Sequence, residues 1–278
     1  MIDLFYQVSH RCSKITTEQY STSFSSAIRL LHKDLRTPIY NIYGFVRFAD
    51  EIVDTFHDHD QEYLLGQFKS QTYEAIERRI SLNPILQSFQ ETVHQYGIAM
   101  HLVDAFFKSM EQDLHKIDYD NKTYNEYIYG SAESVGLMCL YVFCEGNCRL
   151  YDSLKAYAQS LGAAFQKVNF LRDLKADTHT LERMYFPGCN FLNFTEEEKK
   201  QIEADIQNDF EHAYRGIVKL PIKARFGVYV AYKYYISLFQ KIRKVQARRI
   251  MEERIRIPNY KKAMILANAG VRSQLNML

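Results

Sequence analysis

Apolar residues recur along this chain at spacings of three and four, the period of helices that bury one face. Ile42, Val46, Ala49, Val53 and Phe56 make one such stripe, and Leu161, Ala164, Val168 and Leu171 make another. The five prolines, Pro38, Pro84, Pro187, Pro221 and Pro258, stand where helices should begin or break. Thr37-Pro38 and Asn83-Pro84 each read as an N-cap followed by proline at the first helical position. Thr195 ahead of Glu196, Glu197 and Glu198 reads as a capped, acidic first turn. The pattern predicts about ten helices, with the longest loop from Asp177 to Asn193, where His179, Thr180, Gly188 and Asn190 break the period. No repeat, linker or shift in composition divides the chain, so residues 1–278 read as one all-α domain.

Composition supports that reading and narrows the class. Eleven glycines and five prolines are few for 278 residues, too few for a sheet protein that must turn every strand. The 35 basic and 33 acidic side chains leave a net charge of +2, so nucleic acid is not an expected partner. Five cysteines are an odd number in a chain that needs no staples, which fits a reduced, cytoplasmic protein. Cys144 and Cys148 lack the second pair a zinc site requires and read as ordinary thiols. The N-terminus shows no signal peptide. The most apolar stretch, Phe226 to Phe239, carries Lys233 and falls short of the about 20 residues that cross a bilayer. A soluble chain, with room for peripheral contact at the inner membrane, is the expectation.

Two acidic sites change the picture. Asp50 and Asp54 lie four residues apart, as do Asp173 and Asp177, which sets each pair on one helical face. Tyr43, Arg47, Asp50 and Asp54 form a polar stripe about 100° from the apolar stripe beside it, where a cavity wall is a better fit than bulk water. Gly162, Gln166, Asn169, Asp173 and Asp177 repeat the arrangement. Two inward-leaning carboxylate ladders repel each other unless something cationic lies between them. Oxygen ligands in this number suit Mg²⁺, with Mn²⁺ as a substitute, sharing its shell with phosphate oxygens. Arg47 and Arg172 then fit as diphosphate donors. A di-iron bundle would need two Glu-x-x-His motifs, and Glu91 with His94 makes one; His57, His59 and His94 read as surface or internally bonded histidines.

At these residues the sequence resembles the squalene/phytoene synthase family of head-to-head prenyl transferases, over nearly the whole chain. Tyr20-Ser21-Thr22-Ser23-Phe24 is similar to its opening Ser-x-Ser-Phe block, and Tyr40 to Asp54 to its first aspartate block. Tyr127 to Gly136 is similar to its Val-Ala-Gly-x-Val-Gly block, Gln166 to Asp177 to its second aspartate block, and Arg183 to Pro187 to its Arg-x-Tyr-x-Pro block. Two departures stand out. Glu51 replaces the second aspartate of a usual Asp-Asp, and Ser131-Ala132-Glu133 replaces Val-Ala-Gly, a variant similar to one in bacterial phytoene synthases.

The resemblance implies an isoprenoid-synthase helical bundle around a central cavity, with Mg²⁺ between the aspartate motifs. It implies that Asp50, Asp54, Asn169, Asp173 and Asp177 serve the metals. Ser21, Arg47, Gln166, Arg172, Tyr235 and Arg254 would serve the prenyl diphosphate substrates. Tyr43, Tyr127 and Tyr185 would line the reaction pocket, and Phe24, Val135, Leu161, Ala164 and Phe165 its hydrocarbon wall. The implied reaction joins two geranylgeranyl diphosphates without reductant, as in phytoene synthesis. The alternative is a dehydrosqualene, squalene or hydroxysqualene synthase using farnesyl diphosphate. Reductive squalene synthases usually extend into a C-terminal anchor, and this sequence ends at Leu278 with none. A non-catalytic assembly factor of the same fold would be expected to have lost aspartates that this chain retains.

Overall fold

The helices expected from the apolar spacing are present in the computed structural model. It describes residues 2–115, 119–179, 185–189, 194–252 and 254–274, with the side chains at 176–179, 259 and 271–274 outside the description. Among the described residues every regular element is helical. In order they are α1 (Ile2–Tyr20), α2 (Thr22–Ile28), α3 (Lys33–Thr55), α4 (Gln61–Arg78), α5 (Pro84–Tyr96), α6 (Met100–Asp113), α7 (Asn121–Ile128) and α8 (Ser134–Cys144). They continue as α9 (Cys148–His179), α10 (Glu196–Ile217), α11 (Ile222–Arg243), α12 (Ala247–Ile250) and α13 (Asn259–Gln274).

Local chemistry sets most of the boundaries. Asn83 caps α5, its side chain accepting from the Ile85 and Leu86 N–H groups, with Pro84 at the first helical position and Gly97 in the left-handed conformation at the far end. Thr195 and Glu198 form a reciprocal capping box on α10. The Thr37-Pro38 expectation is corrected: α3 begins at Lys33 and holds Pro38 inside it. Proline there leaves the carbonyl of Asp34 without its helical donor, a small loss beside the exposed first turn.

α1 packs on α3 and α5, while α9 packs on α8 and α10. One core gathers around Phe45, whose ring stacks on Phe89 at 3.8 Å and meets Phe106 and Phe107. A second holds Phe210, Phe239, Phe170 and Tyr185. Between α7 and α8 the helix widens into a five-residue π turn, Tyr129–Glu133. The three pieces form a 24-residue rod, Asn121–Cys144, apolar enough by length and composition to cross a membrane, yet half of it is buried inside the bundle. Among the described residues this rod, rather than 226–239, is the helix long and apolar enough to span a bilayer. Gly130 lets the rod approach α6: an added Cβ would lie 2.4 Å from the Ala105 carbonyl oxygen. Gly130→Ala is expected to lower stability by about 2 kcal/mol through overpacking, read as a lower midpoint in denaturant with the helical signal retained.

Candidate active site

A cavity of about 490 Å³ runs between α2, α3, α8, α9, α10 and α11. The charged and amide side chains Arg47, Asp50, Gln166, Asn169, Arg172 and Arg254 gather at one end. Beyond them the wall becomes apolar, through Phe24, Val46, Val135, Leu161 and Phe165 down to Leu140, Phe143, Leu154 and Leu220. Along α9 the polar end at Asn169 and the apolar end at Leu154 are fifteen residues apart, about 22 Å of helix rise. The result is a charged mouth on a long hydrocarbon tunnel.

The first aspartate helix behaves as its polar stripe implies, with Tyr43, Arg47 and Asp50 facing the cavity. Ser21 caps α2 by accepting from the Phe24 N–H at 3.2 Å, so capping and cavity wall share one side chain. Burial pushes the Tyr43 phenol up to about 12, against a hydrogen bond with Ser21 that pulls it down. Arg47 is paired with Glu51, lies 3.9 Å from Asp50 and stacks over the Tyr20 ring at 4.5 Å. Its buried Nε has no hydrogen-bond partner. Glu51 thus holds an arginine rather than facing the cavity. The Asp50 carboxyl is pushed up to about 7, by burial first and by the Asp54 charge second, with Arg47 opposing. A carboxylate in that state is short of a cation, and an arginine with an open buried N–H is short of an anion.

On α9, Gln166 donates to the Ser131 hydroxyl at 3.3 Å, and Tyr235 donates to Asn169 Oδ1 at 3.3 Å while its ring stacks on Phe165 at 3.8 Å. Arg172 and Arg254 both hold Asp173, through Arg172 Nε at 3.0 Å and Arg254 Nε at 2.7 Å. Asp173 therefore gathers arginines beside the mouth, and Asp54 stands one turn beyond Asp50 without being part of the cavity wall. The side chain of Asp177, like Arg183, lies outside the described residues. Among the described residues no three His, Cys, Asp or Glu side chains converge as a ready-made metal cage. The single Glu-x-x-His pair is spent elsewhere, with Glu91 3.1 Å from His10 and His94 bonded to the Ile76 carbonyl.

Two expected pocket residues sit elsewhere. Tyr127 and Tyr185 are 3% and 6% exposed and form no part of the tunnel wall. Their hydroxyls donate to the two oxygens of Asp113, at 2.8 and 3.1 Å, and the Tyr185 ring stacks on Phe170 at 4.0 Å. Ala164 is likewise packed in the core beside them. The physical reason is Asp113: a buried carboxylate needs donors, and these phenols supply them. Asp113 also raises the Asp50 carboxyl through its charge, so it belongs to the electrostatics of the mouth. Sequence reading missed it, although its spacing after Leu102, Phe106 and Met110 marks it as facing inward.

Relatives with the same architecture are known. The closeness in sequence is modest: 25% identity over 206 residues to the 4,4'-diapophytoene synthase of Staphylococcus haemolyticus, 73% of this chain and 70% of that protein. Against phytoene synthase 1, chloroplastic, of Zea mays it is 26% over 262 residues, 84% of this chain and 60% of that longer protein. In structure, a dehydrosqualene synthase solved in complex with ligand superposes with a TM-score of 0.81 at 19% identity, over 97% of this chain and 98% of that one. Squalene synthase HpnC from Alicyclobacillus acidocaldarius gives 0.74 at 19% identity, over 88% and 95%. The family model described as squalene/phytoene synthase matches residues 17–261. That span runs from the end of α1 into α13 and takes in every helix that walls the tunnel, so the chain belongs to the squalene/phytoene synthase family.

Proposed function

We propose that this member of a family of head-to-head prenyl synthases is a phytoene synthase, joining two molecules of geranylgeranyl diphosphate. The observation that carries the reading is the tunnel behind a mouth that holds three arginines and an aspartate. It runs about 22 Å from Asn169 to Leu154 along α9, and about the last 16 Å of it, from Phe165 on, is apolar. A diphosphate fits the arginines and a long prenyl tail fits the wall. The raised Asp50 carboxyl and the unpartnered Arg47 Nε fit a Mg²⁺–diphosphate pair entering between them. Asp50, Asp54, Asn169, Asp173 and Asp177 would hold Mg²⁺, which would supply a Lewis acid for the departing diphosphate.

The protein's own groups account for the rest. Arg47, Arg172 and Arg254 receive the diphosphate as the allylic C–O bond breaks. The double bond of the second substrate traps the cation, and proton loss gives a cyclopropylcarbinyl diphosphate. A second ionisation at the same mouth rearranges it to the head-to-head hydrocarbon. Phe24, Tyr43, Phe165 and Tyr235 present ring faces that shield the cation from water. The relative named diapophytoene synthase favours the alternative, a shorter farnesyl substrate.

Incubation with each diphosphate and Mg²⁺, with and without NADPH, followed by chromatography, decides between them. The expected product is C40, from geranylgeranyl diphosphate, with no need for NADPH. A C30 product in place of it overturns the assignment, and release of no diphosphate from either substrate overturns the enzyme reading.

A further inference from the structure

A second polar cavity, of about 470 Å³, opens on another face of α3. Arg11 and Lys14 of α1, Arg29 at the end of α2, and Lys33 and Arg36 of α3 line it. None of these residues belongs to the tunnel wall. Glu18, 2.8 Å from Arg29, is the one carboxylate paired with the five among the described residues. Arg36 is steadied by its Nε bond to the Leu31 carbonyl at 2.8 Å. The local excess of positive charge is therefore larger than the +2 of the whole chain.

Tyr40 also lines this cleft and supplies an independent sign of a ligand. It is 4% exposed, and its buried hydroxyl lies beside the Arg29 guanidinium, which can only donate to it, so its own O–H has no acceptor among the described residues. Buried phenols almost always find a partner, and here the neighbouring Arg29 guanidinium offers only more donors. Five cations drawn together by three helices, over a phenol without an acceptor, lack one component: an oxyanion with several acceptor atoms. Guanidinium forks and ammonium groups in this mixture match phosphate oxygens.

We propose that this cleft is a second phosphate site, separate from the mouth of the tunnel, that takes a phosphate or diphosphate group, free or as the headgroup of an anionic lipid. The inference goes beyond the proposed reaction and shares no residue with it. Ile28 and Leu31 at the tunnel wall are sequence neighbours of Arg29, so an anion here sits against the helices that also shape the tunnel.

The chain contains no tryptophan, so Thr37→Trp, at an exposed position on the rim, gives a fluorophore that reports this cleft. One arm titrates it with inorganic phosphate and diphosphate. The other uses vesicles of phosphatidylglycerol, with phosphatidylcholine as the neutral control. Saturable change with the free anions identifies a site for soluble phosphate groups, and change with phosphatidylglycerol alone identifies a headgroup site. In either case Lys14→Gln/Lys33→Gln is expected to weaken binding about tenfold or more, and Tyr40→Phe about threefold, with turnover unchanged in the lysine double variant. Calorimetry and vesicle co-sedimentation with the unsubstituted protein repeat both arms without the indole. No response in either arm overturns the proposal, as does binding that ignores the lysine and tyrosine substitutions.

Discussion

Asp50→Asn should lower turnover about a thousandfold or more and, at the same time, raise the thermal stability of the ligand-free protein above neutral pH. The Asp50 carboxyl faces the cavity, 32% exposed, and is pushed up to about 7 by burial and then by Asp54. A carboxyl raised in the folded state above its ordinary 3.8 stabilises the fold fully below about pH 4, and that contribution is lost as pH rises through about 7. At pH 8 the ionised group is a burden on the ligand-free fold. Asparagine keeps the shape and removes the charge. After discounting for water in the cavity, the gain is about 1–2 kcal/mol, so melting at pH 8 without divalent cation should rise. At pH 5 the variant and the parent should melt much closer together. Near-normal turnover would remove Asp50 from the chemistry, and a lower melting point at pH 8 would mean that its charge is already compensated.

Ala158→Phe should divide the two candidate substrates. Ala158 lines the tunnel eleven residues before Asn169 on α9, about 16 Å below the mouth. A ring there closes off the end walled by Leu154 and leaves the upper part open. Turnover of geranylgeranyl diphosphate is expected to fall about a hundredfold, because a misplaced tail misplaces the reacting carbons. Farnesyl diphosphate should be handled within a few-fold of the parent rate. Steady-state rates with each substrate, alongside an unchanged helical circular dichroism signal, make the comparison. Equal losses for both would mean that the lower tunnel does not hold the tail.

The sequence carried much of this site because a helix reports its own faces. The stripe of Tyr43, Arg47 and Asp50 beside Ile42, Val46 and Ala49 foretold a cavity wall, and the structure has one there. What a stripe does not report is its neighbour. Tyr127 and Tyr185 are 58 residues apart and meet at Asp113, a pairing set by how α6, α7 and the segment after α9 pack. Helix α1 was hidden for a different reason. Its buried face is Ser9, Ser13 and Thr17, with Ser13 bonded to Ser88 at 2.7 Å, while Leu4, Val8 and Ile15 stay exposed. A search for apolar spacing reads such a helix inside out. Pro38 misled because its preference for a first turn is only a preference.

The π turn at Tyr129–Glu133 has a consequence for how this chain can change over time. A π turn holds one residue more than an α turn, so side chains beyond it face about 100° away from where an unbroken α-helix of the same residues would put them. That rotation lets one rod serve two neighbours, with Tyr127 turned toward Asp113 and with Val135, Gly136, Cys139 and Phe143 turned toward the tunnel. The stretch that departs from the family's Val-Ala-Gly, Ser131 to Glu133, lies inside this turn. Glu133 leans onto Gln159 at 2.8 Å, and the Ala132 carbonyl approaches α9 where Gly162 leaves room for it. Side chains in the turn are constrained: Gly130 has no room for a Cβ, and Ser131 and Ala132 line the tunnel. The length of the turn is the freer variable. Five residues of π turn cover about the rotation of four in an α-helix, so losing one residue would restore a regular helix with α8 still facing the tunnel.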